Sequence, residues 1–369
     1  MWQLTKNKTW ENLCQTFDWV ADMQHVPQDA IHHAEGNVAI HTQMVINELV
    51  QLAEYQALDT AAQEILWAAA LMHDIEKRST TVMEENGRIT SKNHAKRGEF
   101  TTRQILYCEI ETPFLIREQI AKLVRYHGLP LWIFEKENPQ KTLFQVSLEV
   151  NTAWLAMLAK ADAMGRICSD KDDLLYRIEL FKEFCIENNC WGKPKAFSSD
   201  LARFEYFDKE NRNADYEAFD DYRTEVILLS ALPGAGKDTY IKKHLANYPV
   251  ISLDDFRREL KISSTDSKAN GRVVQMAKEK AKEYLRNQIP FVWNATNITR
   301  QMREQLIALF TTYKAKTTII YIEVPFALQQ KQNRNREDIV PASAITRMIS
   351  KLEIPQAWEA YQVKFEVRT

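Results

Sequence analysis

Apolar side chains recur at helical spacing through the first half of the chain, at Val38, Val45, Leu49 and Leu52 and again at Ile65, Leu66, Ala69 and Met72. That periodicity predicts amphipathic helices. The segments Thr101 to Ile110, Arg117 to Tyr126, Ser147 to Ile167 and Leu174 to Glu187 have the same character, and no convincing strand precedes residue 224. From Val226 the pattern changes to short β-rich runs, VILLS, PVISL, PFVW and TTIIYIEV, separated by helical stretches such as Arg272 to Asn287 and Arg300 to Phe310. This alternation predicts a parallel sheet flanked by helices. Between the two patterns lies Trp191 to Arg223, with the polar, acidic segment DKENRNADYEAFDD. The expected organisation is an all-α domain over residues 1–195, a connector over 196–223 and an α/β domain over 224–369.

A chain of 369 residues that is 45% hydrophobic and 27% charged is long enough for two cores. No stretch approaches the roughly 18 apolar residues of a membrane span. The opening segment MWQLTKNKTWENLCQ has no apolar run ahead of a cleavage site, so neither secretion nor membrane insertion is expected. Five scattered cysteines, Cys14, Cys108, Cys168, Cys185 and Cys190, form no CxxC pair. They suit reduced thiols and a cytoplasmic location. The net charge of -2 conceals a split, since residues 1–223 carry 25 Lys+Arg against 35 Asp+Glu while residues 224–369 carry 23 against 15. The basic half favours phosphate-rich ligands, with a solvated basic surface as the alternative. Seven of the eight histidines lie in the first 127 residues, so metal chemistry is sought there.

After VILLS comes ALPGAGKDT, which leads directly into a helix. Backbone N–H groups across Gly234, Ala235, Gly236, Lys237, Asp238 and Thr239 can cradle phosphates, and the Lys237 ammonium can neutralise the β/γ oxygens. Against the pattern GxxxxGK[ST], Ala231 replaces the first glycine, Asp238 takes the usual Mg2+-ligating hydroxyl position and Thr239 follows one residue late. Mg2+ contact is expected through Thr239, or through water from Asp238. The strand PVISL delivers Asp254, Asp255 and Arg257 at its carboxyl end, where open α/β sheets bind ligands. A carboxylate there can take a proton from an attacking hydroxyl, and an arginine three residues on can hold a substrate phosphate. The alternative is that one of the two aspartates caps the next helix. Downstream lie NATN, over Asn294 to Asn297, and Arg334 and Arg336 in QKQNRNREDIVP. These arginines either close over a transferring phosphate or are solvated charges.

Together the phosphate loop, LDDFR, NATN and the arginine-bearing segment followed by VP and KLEIP resemble the polynucleotide 5'-kinases of the bacteriophage and bacterial end-healing type, over Val226 to Ala360. The resemblance implies that Lys237 binds ATP phosphates, Asp254 is the general base for the 5'-OH, Arg257 holds the phosphate next to the 5' nucleoside, and Arg334 and Arg336 belong to a lid.

In the first half, LMHDIEK ends an apolar helix with adjacent His73 and Asp74. Neighbouring His and Asp can both reach one divalent ion, and His41 and Asp162 lie on further predicted helices that could complete the site. His33, His94 and His127 could supply a second metal or donate to substrate phosphate; each could equally be an ordinary polar residue. Arg166, one turn after Asp162, could contact phosphate or form an ion pair.

HHAEGNVAIHT, MHDIEK, NHAKRGE, RYHG and ADAMGR make this half similar to the HD phosphohydrolase superfamily. Followed by such a kinase, it resembles the bacterial HD-domain/polynucleotide-kinase fusion enzymes over essentially the whole chain. The resemblance implies an N-terminal all-α HD-domain phosphohydrolase plus a C-terminal α/β P-loop kinase with a parallel sheet. It implies RNA end healing, on RNA or DNA ends: opening of 2',3'-cyclic phosphates, removal of terminal phosphate, and phosphorylation of 5'-OH ends for a separate ligase. ATP or another NTP with Mg2+ would serve the kinase. One or two transition metal ions such as Mn2+, Ni2+, Co2+ or Fe2+ would serve the HD site. Two alternatives stand beside this reading. One is an HD nucleotidase fused to an NTPase acting on small nucleotides; the other is an NTP-dependent RNA-binding switch.

Overall fold

The computed structural model describes residues 1–262, 266–336 and 338–368. The chain divides into two compact units that part between Ala196 and Phe197.

The first unit is helical. Its frame consists of α1 (Val38–Gln51), α2 (Thr60–Met72), α3 (His94–Cys108), α4 (Phe114–Tyr126), α5 (Thr152–Met164) and α6 (Lys171–Glu187). Local chemistry sets where these helices begin. Asn37 accepts a hydrogen bond from the Ile40 N–H at the start of α1, and Asp59 accepts from Ala62 at the start of α2, each satisfying an otherwise orphaned donor. The expected single helix from Ser147 to Ile167 is two elements, Pro139–Ser147 and α5. The break falls where the Asn151 side chain accepts from both Ala153 and Trp154 and restarts the helix. One close approach positions the centre of the unit: a Cβ at Gly165 would lie 2.8 Å from the backbone nitrogen of Val45. Only glycine lets the end of α5 sit against α1 at this depth, bringing Asp162 beside His41. The expectation of no strand before residue 224 requires one correction. Val82–Met83 (β1) and Ile89–Thr90 (β2) form a short antiparallel hairpin, closed by a turn in which Gly87 has φ 81°. With two residues per strand, it is too short for alternation to register in the sequence.

The second unit contains a five-stranded sheet in the order β4-β5-β3-β6-β7, where β3 is Thr224–Ser230, β4 Val250–Ser252, β5 Phe291–Asn294, β6 Ala315–Glu323 and β7 Gln362–Val367. Every pairing is parallel. Alternate residues of β3 feed two cores. Val226 and Leu228 join Trp293, Leu306 and Phe310 on one face, and Ile227 and Leu229 join Ile241, Val292 and Ile320 on the other. A strand buried on both faces reads as a continuous apolar run, which is why VILLS stands out in the sequence. The segment 196–223, expected as a connector, is corrected by the structure. It contains α7 (Asp200–Asp208), whose Leu201 and Phe204 enter the first of these cores. Arg203 anchors it by donating to the carbonyls of Ala357 at 3.0 Å and Tyr361 at 3.1 Å.

No helix among the described residues is long and apolar enough to cross a membrane. The five cysteines are free thiols, with Cys185 and Cys190 buried.

Candidate functional sites

The helical unit brings six of the seven sequence-nominated metal residues into one buried chain of contacts. His73 caps α2, and its Nδ1 donates to the Ala70 carbonyl at 2.7 Å. Its Nε2 therefore presents a lone pair. His94 and His127 are set the same way, with Nδ1 2.8 Å from the carbonyls of Ser91 and Val124 respectively. Asp74 stands between two histidine pairs. Its Oδ2 lies 3.3 Å from His73 Nε2 and 3.8 Å from His41 Nε2, while its Oδ1 lies 3.3 Å from His94 Nε2 and 3.9 Å from His127 Nε2. Asp162 closes the cluster from α5, with Oδ1 3.1 Å from His41 Nε2. The seventh residue, His33, lies one step outward, 2.8 Å from Glu35 Oε1.

This donor set fits divalent cations. Asp74 Oδ1 is buried and makes no hydrogen bond, although two imidazole nitrogens face it. Such an orphaned charge is costly unless a cation meets it. Three His/carboxylate groups have their ligand atoms mutually within 4.8 Å: His33, Glu35 and His41; His41, His73 and Asp74; and Asp74, His94 and His127.

The electrostatics keep the carboxylates and two of the histidines in binding form, whereas at His73 burial is outweighed by Asp74, which raises its pKa until a cation replaces the proton. Burial resists ionisation of Asp74, but Lys77 at 2.7 Å and the neighbouring His73 hold its carboxyl well below the usual range. Burial likewise opposes charge on Asp162, and Arg166 overcomes it through two hydrogen bonds of 3.0 and 2.6 Å. Arg166 is thus ion-paired with Asp162. Burial pushes His33 down to about 4 and His127 down to about 3, so both are neutral near pH 7 and able to bind metal. Two participants escaped sequence reasoning, Glu35 and Lys77. Both lie inside quoted motifs, HHAEGNVAIHT and MHDIEK, but neither lies on a repeating pattern.

In the second unit, β3 runs into the phosphate loop and then α8 (Lys237–His244). Gly234 has φ 79°, and a Cβ there would lie 2.8 Å from the Gln329 carbonyl oxygen on α12 (Phe326–Arg334), which comes after α10 (Ser267–Arg286) and α11 (Arg300–Thr312) in the chain. Glycine is required on both counts. The loop opens on a cleft of about 770 Å³ lined by Gly234, Gly236, Lys237, Asp238, Thr239, Asp254, Asn294 and Arg336, among others. Ala235 instead packs its side chain into the core. Lys237 is buried with Nζ 3.5 Å from the Leu232 carbonyl. Burial, with a smaller contribution from Arg336, pushes it down to about 8 despite the opposing pull of Asp238 and Asp254. Asp238 accepts a 2.9 Å hydrogen bond from Asn294 at the end of β5, a pairing the sequence did not reveal.

The helix α9 (Leu253–Leu260) follows β4 and is capped by Ser252, which accepts from the Asp255 N–H. Neither Asp254 nor Asp255 has the capping role. Asp254 projects into the cleft, ion-paired with Arg257 and 3.8 Å from Arg336. Arg257 is steadied by a 2.6 Å bond from its Nε to Asn270 Oδ1. Arg336 lines the cleft, whereas Arg334 ends α12 exposed and is not among the lining residues.

Residues 38–149 match the HD domain family, and residues 226–355 match the AAA domain family. No curated protein matches the chain. Among solved structures, a protein of Chloroflexus aurantiacus J-10-fl assigned as a kinase is similar at 15% identity over 40% of this chain and 86% of its own, with a TM-score of 0.34. A chain of the Pnkp1/Rnl/Hen1 RNA repair complex is similar at 20% identity, over 38% of this chain and 47% of its own, with a TM-score of 0.33. A gluconokinase from Sinorhizobium meliloti 1021 is similar at 15% identity, over 40% and 83%, with a TM-score of 0.29. Likenesses of this size assign no substrate. The two matched segments contain His41, His73, Asp74, His94 and His127 in the first case and Lys237, Asp238 and Asp254 in the second, and the chain thus joins a helical region similar to the HD domain family to an α/β region similar to the AAA domain family, whose parallel sheet and phosphate loop are those of a P-loop kinase fold.

Proposed function

We propose that the protein is a bifunctional RNA end-healing enzyme that phosphorylates 5'-OH ends at the expense of an NTP and removes 2',3'-cyclic and terminal phosphate at 3' ends. The observation that carries the kinase reading is the placement of Asp254. It is a carboxylate at the carboxyl edge of β4, in the same cleft as Lys237 and Asp238 and ion-paired with Arg257. In the proposed reaction Asp254 takes the proton of the 5'-hydroxyl as that oxygen bonds to the γ-phosphorus and the bond to the β-phosphate oxygen breaks, releasing the nucleoside diphosphate. Lys237 and Arg336 offset charge on the transferring group, and Arg257 holds the phosphate 3' to the acceptor nucleoside. Mg2+ would be held by Thr239, or through water by Asp238, whose orientation is fixed by Asn294.

The phosphoesterase reading rests on the buried His/Asp chain. His41, His73, Asp74 and Asp162 would hold one divalent ion, and Asp74 with His94 and His127 would serve a second. When bound, such ions supply Lewis-acid stabilisation of a phosphoryl group and acidify water. Arg166 holds the Asp162 carboxylate in place, and Lys77 holds Asp74. A separate ligase would seal the ends so prepared, in a cytoplasmic setting.

The test is incubation with γ-labelled ATP and 5'-OH RNA, with mononucleotides as competitors. Label on RNA is expected. Label released only as free phosphate would instead describe an NTPase coupled to binding, and label-free RNA with hydrolysis of small nucleotides would describe a nucleotidase.

A further inference from the structure

We infer that Glu35 is a positioning residue for the metal centre, which fixes the tautomer of His41 and His33 together without touching the ion; this rests on the reading of His41 as a metal ligand. The Glu35 side chain is fully buried, and the residue lies in the loop that precedes α1. Its Oε1 is 2.8 Å from His33 Nδ1 and 2.9 Å from His41 Nδ1, the second contact lying off the line of an ideal hydrogen bond. Its Oε2 accepts the Ile167 N–H at 3.0 Å, and the Ala34 N–H donates to the Ile167 carbonyl at 2.9 Å. The loop is thereby tied to the segment just past Asp162 and Arg166.

An ionised carboxylate can only accept, so His33 donates to Oε1 from Nδ1, and the same oxygen, 2.9 Å from His41 Nδ1, favours a proton on that nitrogen over a bare lone pair. The Nε2 of His41 is then an unprotonated lone pair. That nitrogen lies 3.1 Å from Asp162 Oδ1 and 3.4 Å from His73 Nε2, whose own proton is committed to the Ala70 carbonyl. In that tautomer two imidazole nitrogens and a carboxylate oxygen converge, an arrangement that a cation satisfies. Glu35 biases the ring toward this arrangement, because without it His41 would carry its proton on Nε2 and donate to Asp162, closing the site. Glu35 accepts from His33 and Ile167 and faces Nδ1 of His41, the ring nitrogen opposite the one turned to Asp162 and His73, so it stands behind the ligand rather than on the ion. A carboxylate behind a metal-bound imidazole sets ring orientation and basicity, and its loss typically weakens metal affinity ten- to a hundredfold.

The experiment titrates the metal-free full-length chain with Mn2+, following free Mn2+ by electron paramagnetic resonance, for the parent, Glu35→Gln and His41→Ala. Imidazole 15N shifts are recorded on histidine-labelled protein without metal. Glu35→Gln is expected to weaken Mn2+ binding about ten- to a hundredfold and to move the His41 proton from Nδ1 toward Nε2, a change that a purely structural side chain would not cause. An unchanged His41 tautomer together with Mn2+ affinity within twofold of the parent overturns the assignment. Loss of Mn2+ as complete as in His41→Ala also overturns it, by making Glu35 a ligand. If His41→Ala leaves Mn2+ affinity unaltered, the metal-centre reading falls and takes this inference with it.

Discussion

Replacing Lys237 by Met should destroy phosphate binding and at the same time make the free protein more stable. Lys237 is buried at the floor of the cleft, and burial pushes its pKa from an ordinary 10.5 down to about 8. The folded state therefore holds a charge in an environment that disfavours it. A shift of this size corresponds to about 3 kcal/mol of destabilisation at neutral pH, taken as an upper limit. Because the folded pKa lies below the unfolded one, the penalty is full below pH about 8, shrinks as pH rises through the interval in which only the unfolded chain is protonated, and is gone above about 10.5. Met matches the length of the stem and carries no charge to desolvate. In a domain of this size, about 3 kcal/mol moves a melting temperature by roughly 6–12 °C. The assay is scanning calorimetry on the full chain without nucleotide, following the transition that ATP shifts in the parent. At pH 7 Lys237→Met should melt higher, and the gap should close toward pH 10 as the parent sheds its proton. A variant that melts at or below the parent at pH 7, or a gap that does not change with pH, would refute the argument that Lys237 is held against a desolvation cost for the sake of its ligand.

Three further outcomes are expected. Asp74→Ala should deplete the purified protein of transition metal, read by elemental analysis, and abolish phosphoesterase activity while leaving phosphoryl transfer to RNA within twofold; Lys237→Ala should do the reverse, since the two sites lie in separate folding units. Arg166→Met leaves the buried Asp162 charge without its bidentate partner, which costs about 3–5 kcal/mol and should lower the melting transition of the metal-free helical unit by at least about 6 °C. Arg257→Ala should narrow the preference for a nucleoside 3'-monophosphate over the plain nucleoside by about tenfold in kcat/KM, the equivalent of one charge-assisted hydrogen bond; an unchanged ratio in a folded variant would leave Arg257 as a mere brace on Asp254.

The parts of both sites that were legible in the sequence are those written in regular elements. His41, His73, Asp74 and Asp162 lie on or at the ends of helices whose apolar period is plain, so their order along the chain already implied convergence. Lys237 follows β3, an apolar strand buried on both faces and the least ambiguous strand signal, and Asp254 follows β4, whose Ile251 enters the core. Residues whose roles depend on loops were not legible. Glu35 reaches two histidines from an irregular loop, and Asn294 meets Asp238 only because β5 lies beside β3 in the sheet. The edge strand β7 was missed because QVKFEV exposes much of its length and carries charges, as edge strands do. The connector reading failed for a related reason: around α7 the acidic residues dominate the composition, and only Leu201 and Phe204 turn inward to the core. Arg334 and Arg336 differ by two positions, which on the turn that ends α12 sends one into the cleft and the other to solvent.

The most direct test of the central claim uses one RNA oligonucleotide carrying a 5'-OH and a 2',3'-cyclic phosphate, incubated with the full chain, ATP, Mg2+ and Mn2+ and weighed by mass spectrometry. End healing by both units predicts a single final product with a 5'-phosphate and a free 3' end, reached through two separable changes: the gain of a phosphoryl group, absent in Lys237→Ala, and the opening and loss of the 3' phosphate, absent in Asp74→Ala. Recovery of the oligonucleotide with both ends unaltered, while ATP or mononucleotides are consumed, would contradict it.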